Sequence, residues 1–206
     1  MVRAMNIHIV SILVFYFVMG VTTSYSQLYI GLYGGVSQGI DESAQNGNQK
    51  NHLMFGGSVV YNMKNITRVS SEFSVFYTNL GTNTLDGNND YSTSIVSTDV
   101  RARIFFNRDF LFSPYVGGGL GISYFVNNSM PKNLANPLQP AAGAFLTVPL
   151  FVGGSTSLNH RTDLDFQLGA VLTNSDQTNP ILNDTYDHWM YARVGLYIRV
   201  LNFNDD

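Results

Sequence analysis

The chain from Trp189 to Val200 alternates without interruption between two kinds of side chain. The even-numbered positions in this stretch are all apolar: Met190, Ala192, Val194, Leu196, Ile198 and Val200. The odd-numbered positions hold aromatic residues, glycine and two arginines: Trp189, Tyr191, Arg193, Gly195, Tyr197 and Arg199. Because successive side chains of a strand point to opposite faces, this pattern predicts a strand with one apolar and one polar face. The apolar face either packs inside a soluble sheet or faces lipid in a transmembrane β-barrel.

Period-two alternation recurs along the chain and predicts eight strands in all. These strands are expected at roughly 27–38, 52–62, 66–79, 92–105, 114–126, 143–153, 161–173 and 188–201. Their connections alternate in length, beginning and ending with a long one. The long connections are 40–51, 80–91, 127–142 and 174–187, and the short ones are 63–65, 106–113 and 154–160. Outer-membrane barrels have short turns at one end and long loops at the other, so this order predicts an all-β, eight-stranded antiparallel up-and-down transmembrane β-barrel.

Composition narrows the possible partners. Charged residues make up 12% of the chain, against about 25% in an average soluble domain. The formal net charge of −3 leaves no basic patch for nucleic acid, so no nucleic-acid partner is expected. The chain has no cysteine, which excludes disulfides. A soluble secreted barrel that binds an apolar ligand would need a polar outer face, which the last predicted strand contradicts.

The N-terminal residues have the plan of a secretory signal peptide. Arg3 precedes an apolar run at 7–18, and small and polar residues follow up to Ser26. That run is short for a membrane-spanning helix. The sequence therefore predicts a signal peptide at 1–26, cleaved after Ser26, and an outer-membrane β-barrel domain at 27–206.

Charged residues recur on the predicted inward faces of the strands. Nine of them are candidates for barrel-interior ion pairs: Arg68, Glu72, Asp99, Arg101, Arg103, Asp163, Asp165, Arg193 and Arg199. Eight strands leave an interior only wide enough for side chains to fill. Buried charges need partners, so these residues predict a ladder of arginine–carboxylate pairs that plugs the barrel. A gated ion pathway, which would make the protein a narrow channel, is the alternative use of the same residues.

Aromatic residues near the strand ends are expected at the headgroup level, where amphipathic rings are favoured. These rim aromatics are Tyr61, Tyr77, Phe105, Tyr115, Tyr124, Trp189 and Phe203.

Two further features are candidate sites of catalysis or calcium binding. His188 follows Asp187 at the mouth of the last strand, close in sequence to Asp176 and Asp184, which is compatible with a rim-site hydrolase or acyltransferase. The segment 86–90 opens like a calcium loop but lacks the glycine and glutamate that such loops require. We predict no enzyme activity, and no catalytic residue, metal ligand or cofactor is assigned.

Several stretches carry a family resemblance. They are the signal ending Tyr25-Ser26-Gln27, the segment 114–121, the segments 161–165 and 173–176, and the segment 187–196. On these stretches the chain resembles the small outer-membrane β-barrel proteins of the Bacteroidota, which are related in plan to the OmpA-like transmembrane domain and the porin-family barrels. The resemblance implies location in the bacterial outer membrane and is uninformative about activity. From the plugged barrel we expect the protein to have a structural or interaction role, through extracellular loops or as part of an envelope assembly. Its expected partners are outer-membrane lipid and other envelope proteins, contacted through extracellular loops.

Overall fold

A computed structural model describes residues 26–40, 48–49, 51–63, 68–83, 91–107, 111–129, 143–174 and 188–202. We number the strands in chain order as β1 (Ser26–Gly39), β2 (Asn48–Gln49), β3 (His52–Met63), β4 (Val69–Asn83), β5 (Tyr91–Phe105), β6 (Phe112–Ser129), β7 (Ala144–Asn159), β8 (Thr162–Thr173) and β9 (Trp189–Asn202). Within these ranges, no helix has both the length and the apolar character needed to span a membrane.

Eight of these strands form a closed antiparallel barrel. Neighbouring strands follow the order β4-β3-β1-β9-β8-β7-β6-β5, and pairing between β4 and β5 closes the ring. The first strand, β1, pairs with β3 on one side and with the last strand, β9, on the other. Its Leu32 lies opposite Gly57 of β3 and Leu196 of β9. The short strand β2 adds two residue pairs to β4. The eight-stranded, all-β prediction is confirmed.

The connections give the barrel two different ends. We call the end with the short connections 64–68, 106–111 and 160–161 the turn end, where β1 also begins and β9 also finishes. The opposite loop end carries the four long connections. One predicted turn is wrong: residues 154–159 continue β7 instead of leaving the sheet, with Ser157 opposite Asp163. Their glycine, serine and threonine content is typical of a loop, but ladder hydrogen bonds use the backbone and tolerate these side chains.

The alternation of side chains fixes which face of each strand is buried. On β9 the large outward apolar residues are exposed, while the inward Tyr191, Arg193 and Tyr197 are buried; the exposed residues are Met190, Val194, Leu196, Ile198 and Val200. On β5 the outward Val100 and Ile104 are likewise exposed. The barrel therefore has an apolar outer wall and a polar and aromatic interior, which is the reverse of a soluble sheet.

Three of the predicted rim aromatics lie inside the barrel instead. Phe105, Tyr115 and Trp189 are buried, with Trp189 fully enclosed at 0% exposure. Each occupies one of the alternate positions of its strand whose side chains point into the barrel. The direction fixed by this alternation overrides the preference of aromatic rings for an interface. Tyr77 and Tyr124 occupy outward positions, and so does Tyr61 by its pairing, although its side chain is buried. Phe203 lies outside the described residues.

Close approach between strands requires glycine at one inward position of β6. A Cβ built on Gly119 would lie 2.2 Å from the carbonyl oxygen of Val100 in β5, a backbone atom that cannot turn away. At Gly34 in β1, the nearest atom to such a Cβ is 3.9 Å away.

We expect Gly119→Ala to lower the free energy of unfolding by about 1–3 kcal/mol, because β5 and β6 must move apart. Gly34→Ala is the matched control and should be neutral or slightly stabilising, since it only restricts the unfolded chain. Urea unfolding followed by the fluorescence of Trp189, the single tryptophan, measures both. Equal effects of the two substitutions would refute the close-approach argument.

Candidate functional site: the barrel interior

Inward side chains fill the barrel in successive layers along its axis. At the loop end lies a layer that we call the apolar plug, formed by Met54, Leu80, Ile95, Phe125, Phe145, Val171 and Trp189. Below it lies the charge layer, formed by Glu72, Asp99, Arg101, Arg103, Asp165 and Arg193. Between the charge layer and the turn end, a polar space remains that we call the turn-end cavity.

Four members of the charge layer form one chain of ion pairs. Glu72 is its central carboxylate: Oε2 lies 2.8 Å from Arg103 Nη2, and Oε1 lies 2.9 Å from Arg193 Nη2. Arg103 continues to Asp165, with Nη1 2.9 Å from Oδ2. Glu72 and Arg103 come from β4 and β5, whereas Asp165 and Arg193 come from β8 and β9 across the ring. The chain of pairs therefore links opposite walls of the lumen and carries no net charge.

The remaining two charges form a separate pair on β5. Arg101 donates from Nε and Nη2 to Asp99 Oδ2, and its Nη1 reaches Gln167 Oε1 at 3.2 Å. Gln167 also accepts a hydrogen bond from the Tyr191 hydroxyl at 2.8 Å. The Arg101 guanidinium lies 5.5 Å from the centroid of the Phe151 ring, within the range of a cation–π contact. This second unit is also neutral.

Tyrosines add hydrogen bonds and ring contacts to the network. The Tyr115 hydroxyl donates to Asp165 at 2.9 Å, and Arg103 Nη2 donates to the Tyr197 hydroxyl at 3.1 Å. Arg193 lies over the face of Tyr33, with its guanidinium carbon 4.1 Å from the ring centroid. Its Nε and Nη1 have no hydrogen-bond partner among the described residues, and the Tyr33 ring lies against the same guanidinium group. Aromatic faces thus supply part of the interaction that water would otherwise provide.

Burial explains why these charges must be paired. The six side chains of the charge layer are at most 4% exposed. Removing such ions from water costs several kcal/mol each, and only close opposite charges and hydrogen bonds offset that cost. Three arginines and three carboxylates satisfy this requirement together.

Three of the nine predicted interior residues stand apart from the charge layer. Arg68 lies in the turn before β4 and its side chain is exposed. The prediction that it lies inside the barrel is therefore wrong. Asp163 and Arg199 point inward but lie near the turn end and are half-buried, outside the ion pairs formed by described residues. Asp163 accepts a hydrogen bond from Ser157 at 2.7 Å, and Arg199 donates to Tyr29 at 3.1 Å. Alternation along a strand predicts the face of a residue but not its depth in the lumen.

The apolar plug is a feature that the sequence pattern did not reveal. The rings of Phe125 and Phe145 lie 4.7 Å apart, and Phe145 meets Trp189 edge-on at 6.4 Å. Ile95 is fully buried in the same layer. All of these residues occupy inward positions of their strands, which is the signal that could have identified them. For Trp189 the preference of aromatic rings for the membrane interface obscured that signal.

Comparison with known proteins identifies the architecture. No known family model matches the chain, and no curated protein matches it in sequence. Neisserial surface protein A matches in structure at a TM-score of 0.56 and 13% identity, over 84% of this chain and 97% of that protein. The fold is that of the small outer-membrane β-barrels.

Two further solved structures show the same architecture. The attachment invasion locus protein Ail of Yersinia pestis has a TM-score of 0.50 at 14% identity, over 85% of this chain and 99% of that one. The outer-membrane protein OprG of Pseudomonas aeruginosa has a TM-score of 0.50 at 10% identity, over 86% and 96%. Identities this low establish a shared fold and carry no statement about activity.

We expect Glu72→Gln to destabilise the barrel by about 3–5 kcal/mol, because Arg103 and Arg193 lose their shared buried counter-charge while the packing volume is kept. Asp163→Asn is the matched control. It neutralises a half-buried carboxylate outside the ion pairs and should cost less than about 1 kcal/mol. Urea unfolding of both variants, followed by Trp189 fluorescence, gives the comparison. A Glu72→Gln protein as stable as the control would contradict the assignment of Glu72 as the centre of the network.

Proposed function

We propose that this protein is an integral outer-membrane β-barrel with a closed interior, and that its role is structural or interactive. It would act through the four connections at the loop end or as one part of a larger envelope assembly. The observation that carries the proposal is the apolar outer wall around an interior that the apolar plug and the charge layer close.

The outer wall favours lipid as its surroundings. Leu32, Leu53 and Leu120 lie on three different strands and are each more than 70% exposed, at 73%, 74% and 71%. Soluble monomers rarely expose contiguous apolar patches larger than a few hundred Å². In lipid the same surface costs nothing to expose, and the closed ring leaves no strand edge unpaired in the barrel wall.

The lengths of the strands also support a lipid bilayer as the environment of the barrel. A tilted strand crosses the hydrocarbon layer with about 9–11 residues. The eight barrel strands contain between 12 and 18 residues. Each strand is therefore long enough to cross a bilayer and extend beyond it.

The proposed location in the outer membrane also carries a proposal for how the chain is targeted there and which end of the barrel faces the periplasm. A signal peptide cleaved after Ser26 would direct the chain to the envelope, and the turn end would face the periplasm as in other bacterial barrels. The four long connections would then face outward, where they would meet other envelope proteins. The resemblance to the small barrels of the Bacteroidota and to OmpA-like domains agrees with this orientation.

The structure favours this role over a channel. The apolar plug and the charge layer occupy the lumen at two successive depths, and the four-residue chain of ion pairs links opposite walls. An open pore would need a continuous polar path past both layers.

A rim-site hydrolase has less support. The Nδ1 atom of His188 accepts a hydrogen bond from the backbone of Thr173 at 3.2 Å, which ties the loop end of β9 to β8. Asp176, Asp184 and Asp187, its expected acidic partners, lie outside the described residues. The contact that is described for the His188 ring is structural.

A charge scan of the outer wall tests the proposed membrane location. In phospholipid vesicles, Leu196→Arg at the middle of β9 should cost about 2–4 kcal/mol, and Val200→Arg nearer the turn end about 0–1 kcal/mol. Both residues are outward and exposed, so in water each substitution would change stability by no more than about 0.5 kcal/mol. The free energy of unfolding of the vesicle-bound protein measures the difference. A protein that does not float with the vesicles, or two equally small effects, would exclude residence in the bilayer.

A further inference from the structure

The turn-end cavity is a preformed polar space inside the barrel. Its volume is about 210 Å³, and it opens at the turn end. At its inner end the cavity is closed by Tyr197 and by the buried pair Arg103–Asp165 of the charge layer. Pockets that hold drug-sized ligands measure about 300–1,000 Å³, so the size of this cavity suits a smaller solute.

Two charges of opposite sign face this space, and neither has an ionic partner within the part of the chain that the structure describes. Asp163 on β8 lies opposite Tyr197 of β9, and Arg199 follows two residues later on β9, so the two are diagonal neighbours on the inner wall. Among the described residues, neither belongs to an ion pair. Asp163 receives one hydrogen bond from Ser157, and Arg199 contacts the hydroxyl and ring of Tyr29.

The two charges nearest the opening of the cavity differ from those of the charge layer. In the charge layer every cation touches a carboxylate, whereas Asp163 and Arg199 line the same solvent-open space without touching each other. A simple anion would satisfy only Arg199, and a simple cation only Asp163. A molecule that carries both charges a few bonds apart would satisfy both with charge-assisted hydrogen bonds.

We propose that the turn-end cavity binds a small zwitterionic solute of the free amino acid class, with its carboxylate on Arg199 and its ammonium group on Asp163. Ser155 and Gln27 supply a hydroxyl and an amide to the same wall. The charge layer closes the inner side of the cavity, so the solute enters and leaves by the turn end. This inference goes beyond the proposed function and depends only on the folded barrel, so either can fail without the other.

The first test uses the unsubstituted protein, folded in detergent micelles, and four probes of similar size. Isothermal titration calorimetry is expected to show saturable binding of glycine. Glycolate, which lacks the ammonium group, and methylammonium, which lacks the carboxylate, should bind at least tenfold more weakly, and glycerol should not compete. No saturable glycine binding would overturn the proposal. Glycolate binding as tightly as glycine would reduce the cavity to a simple anion site and would overturn it as well.

The second test identifies the residues. Arg199→Gln and Asp163→Asn should each weaken glycine binding at least tenfold, while the unboiled protein keeps the altered gel migration of a folded barrel. Arg161→Gln is the matched control, because it removes an exposed arginine of the adjacent turn that does not line the cavity. It should bind glycine as the unsubstituted protein does. Unchanged affinity in both cavity variants, or an equal loss in the control, would overturn the assignment.

Discussion

The barrel depends on one electrostatic constraint: six ionised side chains share a lumen that is too narrow to hydrate them. Glu72 is central because it touches both Arg103 and Arg193, and Arg103 in turn reaches Asp165. The contacts of Glu72 with Arg193 and of Arg103 with Asp165 connect strands that are not neighbours in the ring, so they supplement the backbone ladders with links across the barrel. Loss of one partner leaves an uncompensated charge in a medium of low polarity, where it costs far more than at a surface.

The same constraint organises the layers around it. Tyrosine hydroxyls and ring faces add contacts to Arg103, Asp165 and Arg193, and the apolar plug separates the charge layer from the loop end. Toward the turn end the packing opens, and there Asp163 and Arg199 remain half-buried and outside the ion pairs of the described residues. Whether a charged residue belongs to the closed charge layer or to the open turn-end cavity thus depends on how far along the barrel axis it lies.

Much of this architecture can be predicted from alternation alone. The two faces of β9 and the order of long and short connections are enough to indicate an eight-stranded barrel. Depth along the axis cannot be predicted in this way: alternation within β9 and β4 does not show that Arg193 reaches Glu72, because these two strands are not paired. The pattern also places Arg68 in the lumen although it lies in a turn, and Trp189 at the rim although it lies in the plug.

The most direct test of the closed interior is electrical recording across a planar lipid bilayer that contains the purified, folded protein. Since the charge layer links opposite walls and the apolar plug lies beside it, the recording should show no steady current at either polarity. A steady conductance that increases with the number of inserted molecules would contradict a lumen sealed by paired charges.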